Sequence, residues 1–182
     1  MKTILILSAL LFFIQVEEVG AQTLYGTTSG EVSFYSDTPL ETIEAVNKKS
    51  GAIINSSNRE IVVQMKITDF IFPNKLMQEH FNENYLESEK YPTATFKGKI
   101  KEQVDLSAAG TYPVTAEGSM TIHGVTKPVT VNGHIISTGN DLKLEFKFQV
   151  KPEEYQIEVP SLVITKIAEL IDVSGKMALL KK

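Results

Sequence analysis

The sequence predicts an all-β protein: a single eight-stranded antiparallel barrel that carries one short amphipathic helix. Apolar and polar side chains alternate through most of the chain after residue 21, which is typical of strands with one dry and one wet face. Short turns separate these segments, so consecutive strands are expected to pair as an antiparallel meander. A meander has two exposed edges unless it closes, and eight strands are enough to close a barrel.

The first 21 residues have the pattern of a secretory signal peptide. Lys2 precedes an apolar run over residues 4–14, and small residues at 19–21 suit a signal peptidase. The run is shorter than the roughly 20 apolar residues of a transmembrane helix, so a retained anchor is the less favoured alternative. We expect residues 1–21 to be cleaved and residues 22–182 to form one domain, exported to the periplasm or secreted.

Composition narrows the functional classes. The chain has 18 basic and 22 acidic residues, a formal net charge of −4 and no basic stripe, which argues against nucleic-acid binding. It contains no cysteine, which excludes a disulfide scaffold and a lipid-modified N-terminal cysteine. We therefore expect a domain that is held together by packing alone and has no stable membrane anchor. The oligomeric state stays open.

Each alternating segment predicts one strand. Residues 41–46 and 52–54 together indicate one bent strand. Seven further strands are expected at residues 30–36, 60–67, 93–102, 111–123, 129–135, 141–151 and 169–181.

The sequence also predicts how some of the strands are connected. Short turns are expected at residues 123–128 and 137–141. After the strand at 60–67, Phe70 and Phe72 fall on the opposite parity to Met65. A bulge near residues 68–69 would restore the phase of the alternation.

One segment, "PNKLMQEHFNENYLES" at residues 73–88, predicts a helix over about residues 74–86. A proline precedes it, and its apolar residues recur at near-helical spacing with polar residues between them. We expect this amphipathic helix to lie across the barrel mouth or against the barrel wall. Its apolar residues are Leu76, Met77, Phe81 and Tyr85.

The alternation also predicts which side chains face inward. A register slip of one residue would reverse every assignment at once. The side chains expected in one shared interior are Phe96, Ile100, Met120, Ile122, Phe146 and Phe148. Those expected in solvent are Lys97, Lys99, Lys143 and Lys147.

No catalytic or metal-binding motif is recognisable. His80, His123 and His134 have none of the spacings of a metal site, and without cysteine few ligands remain. His123 and His134 fall on the polar parity, where solvation or local hydrogen bonds account for them. No G-x-S-x-G elbow or glycine-rich phosphate loop is present. We expect no enzymatic activity and no cofactor, and an ester hydrolase is the least favoured function.

The apolar parity holds the candidate binding residues. It mixes aromatic rings and methionines with glycines, which we interpret as leaving room inside and bending strands. A filled core would make the protein a structural or interaction module of the cell envelope, whereas a space beyond ~300 Å³ favours a ligand. The candidate pocket-lining residues are Phe34, Met65, Phe81, Phe96, Gly98, Gly118, Met120, Ile122, Phe146, Phe148 and Met177.

Two stretches resemble a known family. "NENYLESEKYPTATFKGKI" (82–100) together with "GSMTIHGVTKPVTV" (118–131) resembles the paired signatures of the YceI-like lipid and polyisoprenoid-binding proteins. "GEVSFYSDTPLETIEAVN" (30–47) and "DFIFPNKLMQEHF" (69–81) resemble exported members from Bacteroidetes-type bacteria. The resemblance implies a lipocalin-like barrel whose interior holds a long isoprenoid, quinone or other lipid. It implies a carrier or sequestering protein and not an enzyme.

Overall fold

The computed structural model describes residues 23–160 and 165–182. Helix α1 spans Lys75–His80, and a π-helical turn over Phe81–Tyr85 continues it. Two 3-10 turns lie at Ile67–Asp69 and Pro152–Tyr155. The strands are β1 (Leu24–Asp37), β2 (Thr42–Asn55), β3 (Glu60–Lys66), β4 (Phe70–Ile71), β5 (Thr93–Ile100), β6 (Gly110–Ile122), β7 (Val125–Ser137), β8 (Asp141–Val150) and β9 (Ile171–Lys181).

The strands close into a barrel. The sheet order is β1-β9-β8-β7-β6-β5-β3-β2-β4, and pairing of β1 with β2 closes the ring. Strand β4 has only two residues and pairs beside β2 outside the ring, so eight strands form the wall. Every pairing in the sheet is antiparallel. The predicted closed antiparallel barrel with one short helix is confirmed.

The predicted bent strand is one continuous strand, β2, and both strands of the β1–β2 pair are irregular: β1 has an extra residue between Thr27 and Gly30, and β2 has one between Asn47 and Ser50. The β1–β2 register shifts on both sides of Gly30. A Cβ atom at Gly30 would come within 2.7 Å of the Met177 side chain and 3.0 Å of the Ser50 carbonyl oxygen. Glycine at this position therefore allows the two strands and the Met177 side chain to pack together.

A 3-10 turn, and not a bulge, changes the parity after β3. The chain leaves the sheet over Ile67–Asp69 and re-enters at β4. Asn47 on β2 donates a hydrogen bond from Nδ2 to the Lys66 carbonyl oxygen at 2.9 Å, just before the turn. The turn changes the phase of the chain, and Phe70 and Phe72 are both buried.

The β6–β7 hairpin is tighter than the expected turn at residues 123–128. Strand pairing reaches Ile122 and Val125, so the turn contains only His123 and Gly124. Both turn residues have positive φ angles, 51° and 74°, as a type I′ turn requires. The twist of this turn type matches that of the flanking strands, which lets β7 begin four residues earlier than the sequence pattern indicates.

The inward and outward assignments are confirmed. Phe96, Ile100 and Met120 are buried, with 5%, 2% and 3% of their surface exposed. The remaining inward residues pack, partly buried, against the same core; they are Ile122, Phe146 and Phe148. The four lysines of the opposite parity are exposed. The alternation of the sequence therefore predicted correctly which face of each of these strands points into the barrel.

The expected signal peptide, residues 1–21, lies outside the described residues. Within residues 23–160 and 165–182, no helix has the length and hydropathy needed to cross a membrane.

Candidate functional site

Among the described residues, two spaces of unequal size lie inside the barrel. A cavity of about 430 Å³ occupies the end nearest α1 and extends from Val32 on β1 to Val150 on β8 and Ile171 on β9. A second space of about 40 Å³ lies among apolar side chains of β3, β5, β6, β7 and β8. The end of the barrel nearest α1 thus has a large cavity, and the side chains around the smaller space are more closely packed.

Four phenylalanine rings form one wall of the large cavity. The ring of Phe34 on β1 stacks on that of Phe81, with centroids 5.4 Å apart and planes at 24°. Phe70 and Phe72 contact both rings, with centroid distances of 5.0 to 5.7 Å. Because offset and edge contacts between aromatic rings are favourable, the cluster fixes the helical segment against β1.

Helix α1 is held at its start and along its side. The Asn74 side chain caps it by accepting hydrogen bonds from the backbone N–H groups of Leu76 (2.9 Å) and Met77 (3.4 Å). The Phe72 N–H donates to Gln78 Oε1 at 3.1 Å. These bonds place Met77 on the cavity wall, and the π-helical turn that follows α1 places Phe81 and Tyr85 there.

Polar groups lie at the solvent end of the cavity. Lys166 Nζ is 3.5 Å from Glu41 Oε2, and the side chains are 49% and 28% exposed. Burial, and secondarily the negative charge of Glu41, raises the pKa of the Tyr85 phenol above its ordinary value. Tyr85 therefore stays neutral at physiological pH and keeps its O–H group. The cavity has a polar rim that includes a cation, an anion and a hydroxyl.

Three side chains separate the two interior spaces. Met65 on β3, Met120 on β6 and Phe148 on β8 line both the large cavity and the small space. These strands alternate with β5 and β7 around the wall, so the side chains converge from different directions. We call the group formed by Met65, Met120 and Phe148 the floor.

The predicted pocket-lining residues divide among three locations. The first group lines the large cavity: Phe34, Met65, Phe81, Met120, Ile122 and Phe148. The second, Phe96 and Phe146, lines only the small space. The third, Gly98, Gly118 and Met177, lines neither of these two spaces. Contact of these residues with a ligand stays a prediction.

Three glycines of the apolar parity, Gly98, Gly118 and Gly175, leave no empty room, whereas Gly133 lines the small space. The Phe96 ring covers Gly98, where an added Cβ would lie 2.6 Å from Phe96 Cζ. The Phe146 ring covers Gly175 in the same way. Gly118 faces Gly98 across the β5–β6 pair, and a Cβ there would collide with the Lys97 carbonyl oxygen. Gly98, Gly118 and Gly175 thus accommodate rings and backbone and do not widen the large cavity.

Sequence reasoning missed most of the cavity wall, because the predicted set contains six of the 28 residues that line the large cavity. The part of the wall that the helical segment forms could have been found from the sequence, because the apolar face of a single amphipathic helix must cover some apolar surface. The segment after β8 has no periodicity and gave no signal. Lining residues outside the predicted set include Ile43, Phe70, Phe72, Tyr85, Ile157 and Ile167.

His123 forms local hydrogen bonds and is not solvated. Its side chain is 10% exposed, its Nε2 lies 2.7 Å from Glu87 Oε2, and its Nδ1 lies 3.2 Å from the Tyr155 carbonyl oxygen. The Tyr91 ring packs edge-on against it at 4.6 Å. His123 thus joins the β6–β7 turn to two other segments. In the part of the chain that the structure describes, no three His, Asp or Glu side chains are grouped to hold a metal ion.

A serine, a histidine and a carboxylate do line the cavity. They are Ser36, His80 and Glu41. The Ser36 hydroxyl accepts a hydrogen bond from the Ala168 N–H at 2.9 Å, which ties the segment after β8 to β1. Among the described residues, no hydrogen bond joins any two of the three side chains. The structure therefore gives no support to a hydrolytic triad.

Solved structures with the same fold come from several bacteria. The polyisoprenoid-binding domain from Saccharophagus degradans that is implicated in plant cell wall breakdown superposes with a TM-score of 0.74 at 12% identity, over 88% of this chain and 98% of that one. BcnA from Burkholderia cenocepacia gives 0.63 at 17% identity, over 82% and 95%. The YceI protein from Campylobacter jejuni gives 0.58 at 14% identity, over 100% and 99%. At these identities the likeness shows the fold.

Sequence relatives are found among UPF0312 proteins. One from Vibrio cholerae is 38% identical over 58 residues, which is 32% of this chain and 28% of that protein. One from Azotobacter vinelandii is 28% identical over 130 residues, 70% of this chain and 57% of its own length. These matches span less than two thirds of either relative. The YceI-like domain family matches residues 12–179, and the chain therefore belongs to the YceI-like family.

Proposed function

We propose that this protein binds the apolar chain of an isoprenoid, quinone or similar lipid inside its barrel and carries or sequesters it without chemical change. The observation that carries the proposal is the cavity of about 430 Å³, apolar in its depth and polar at its solvent end. An amphipathic chain matches this arrangement, with its tail inside and its polar head at Lys166, Glu41 and Tyr85. The polyisoprenoid-binding domain with the same fold supports this choice of ligand.

The energetics of burial support tight binding. Each methylene removed from water contributes roughly 0.8 kcal/mol, so a five-carbon isoprene unit contributes up to about 4 kcal/mol. A few buried units therefore offset the free-energy cost of association without a strong polar contact. The filled-core alternative accounts for the half of the barrel around the small space. It does not account for the larger cavity, whose volume is that of a small-molecule site.

The proposal is tested by recovery and uptake of ligand. Protein purified from its own host should release an apolar lipid on organic extraction, and native mass spectrometry should show its mass. The purified protein should also take up prenyl alcohols or quinones. Repeated absence of lipid, together with no uptake of either class, would overturn the proposal.

A cavity-filling variant makes the test specific. Ala94 is buried and lines the large cavity, so Ala94→Leu should reduce the uptake of prenyl alcohols. Ala178 lies on the exposed face of β9, and Ala178→Leu is the matched control that should leave uptake unchanged. Equal uptake by folded Ala94→Leu and Ala178→Leu would show that the ligand does not bind in the large cavity.

We also propose export, with the periplasm as the destination. The support is the signal-like pattern of residues 1–21. Mass spectrometry of protein from fractionated cells should find a mature N-terminus at Gln22 in the periplasmic or secreted fraction. Protein recovered only from the cytoplasm with residues 1–21 attached would contradict export.

A further inference from the structure

The large cavity ends inside the barrel. At its inner limit lies the floor formed by Met65, Met120 and Phe148, and the space that borders the other side of the floor measures about 40 Å³. Met65 and Met120 are 8% and 3% exposed, so they are packed within the core. A chain that enters from the polar rim therefore meets the floor before it reaches the small space.

The volume of the cavity limits the length of that chain. A cavity of about 150 Å³ in another protein holds one benzene molecule, which corresponds to roughly 25 Å³ for each carbon atom. By this measure a cavity of about 430 Å³ holds about 17 carbon atoms. That number corresponds to three or four isoprene units.

We propose that the floor sets the length of the ligand, so that this protein selects apolar chains of about 15–20 carbons. This inference rests on the proposed function and names the ligand class of the same site. In a longer chain the additional carbons stay at the mouth, where they are still in contact with water. They gain none of the free energy of burial that the first three or four units provide.

Truncation of a methionine in the floor should enlarge the space that is available to the ligand. Methionine is unbranched and flexible, and replacing Met65 by alanine removes three heavy atoms from between the two spaces. The volume of the removed atoms, together with the space of about 40 Å³ behind them, is enough for roughly five more carbons. Met65→Ala should therefore lengthen the preferred chain by one isoprene unit.

A series of all-trans prenyl alcohols with 10, 15, 20, 25 and 40 carbons tests the inference. Dissociation constants would be measured by native mass spectrometry for the wild-type protein and Met65→Ala. In the wild type, each unit up to about 15–20 carbons should tighten binding by at least about tenfold, and further units should add nothing. In folded Met65→Ala, the length at which binding stops tightening should increase by one unit.

Leu144→Ala is the matched control. Leu144 is buried and lines the small space without contributing to the floor, so its truncation creates space that the ligand cannot reach. The length limit of this variant should equal that of the wild type. Where Met65→Ala does not fold by circular dichroism, Met120→Ala replaces it, and the wild-type series still decides whether a limit exists.

The outcomes separate this inference from the proposed function. Failure of every chain length to bind would overturn the proposed function itself. Affinity that continues to rise from 20 to 40 carbons in the wild type would overturn the length limit alone. A limit that stays unchanged in the folded methionine variant, Met65→Ala or its replacement Met120→Ala, would show that the floor does not set it.

Discussion

Gly118 allows β5 and β6 to lie closer together than any side chain permits. A Cβ at this position would collide with the carbonyl oxygen of Lys97 and with Gly98 on the neighbouring strand. Gly118→Ala should therefore lower the free energy of unfolding by about 1–3 kcal/mol or more, through overpacking. Chemical denaturation measures this.

Gly51→Ala is the control for that measurement. An added Cβ at Gly51 finds its nearest atoms at 3.7 and 3.9 Å, which is ordinary contact. The change in stability should stay within about 0.5 kcal/mol. Equal losses in the two variants would show that backbone collision is not the reason for glycine at position 118.

His123 stabilises the fold through two hydrogen bonds from one ring. His123→Asn keeps a residue that tolerates the positive φ of the turn but removes the bonds to Glu87 and Tyr155. We expect a loss of about 1–3 kcal/mol in the free energy of unfolding. His134→Asn on the exposed face of β7 should cost much less, and comparable losses would contradict the structural role of His123.

At the scale of the element, the cap of α1 controls a wall of the cavity. Asn74→Ala removes the side chain that accepts from two N–H groups, which should cost about 1 kcal/mol of helix stability. Hydrogen exchange should become faster over residues 75–85 and stay unchanged in the barrel strands. Asn74→Asp retains an acceptor and should restore slow exchange; the same exchange rate in both variants would exclude the cap as the cause.

The strands were predictable because the alternation of apolar and polar residues within each strand shows which of its faces is buried. Alternation around Phe96 and Ile100 identified β5 and its inward side without any knowledge of the neighbouring strands. The sequence also showed that the alternation of apolar and polar residues shifts by one position before Phe70. It did not show which structural feature causes the shift, since a bulge and a 3-10 turn change the parity equally. The type I′ turn at His123 and Gly124 was missed because the residues that follow it looked like a loop.

The cavity was only partly predictable, because parity does not determine whether the interior is filled. Phe146 and Phe148 share a strand and a parity, yet Phe146 lies over Gly175 beside the small space and Phe148 reaches the large cavity. Ring orientation against neighbouring strands makes this difference, and it depends on contacts distant in sequence. Ile157 and Ile167 were missed since their segment has no periodicity.

At the scale of the whole molecule, the chain closes a barrel around an interior that is filled at one end and hollow at the other. The filled half provides buried apolar area, which is the main source of stability for a domain without disulfides. The hollow half contributes less to stability and forms the proposed binding site. The helical segment and the residues after β8 lie at the hollow end, where they complete its wall.

Two phenols should make the stability of the barrel sensitive to alkaline pH. Burial, with a smaller contribution from Glu154, raises the pKa of Tyr155, and Tyr85 has a raised pKa because of burial and Glu41. The unfolded chain ionises its phenols near pH 10, whereas the folded protein keeps these two neutral to higher pH. Their contribution to stability is therefore complete below about pH 10 and is lost as the pH rises through the folded pKa values.

Thermal denaturation between pH 8 and 11.5 should show a smaller decrease in melting temperature for Tyr155→Phe than for the wild type. Tyr35→Phe, at an exposed position, should follow the wild type, and identical curves for all three proteins would contradict the role of Tyr155.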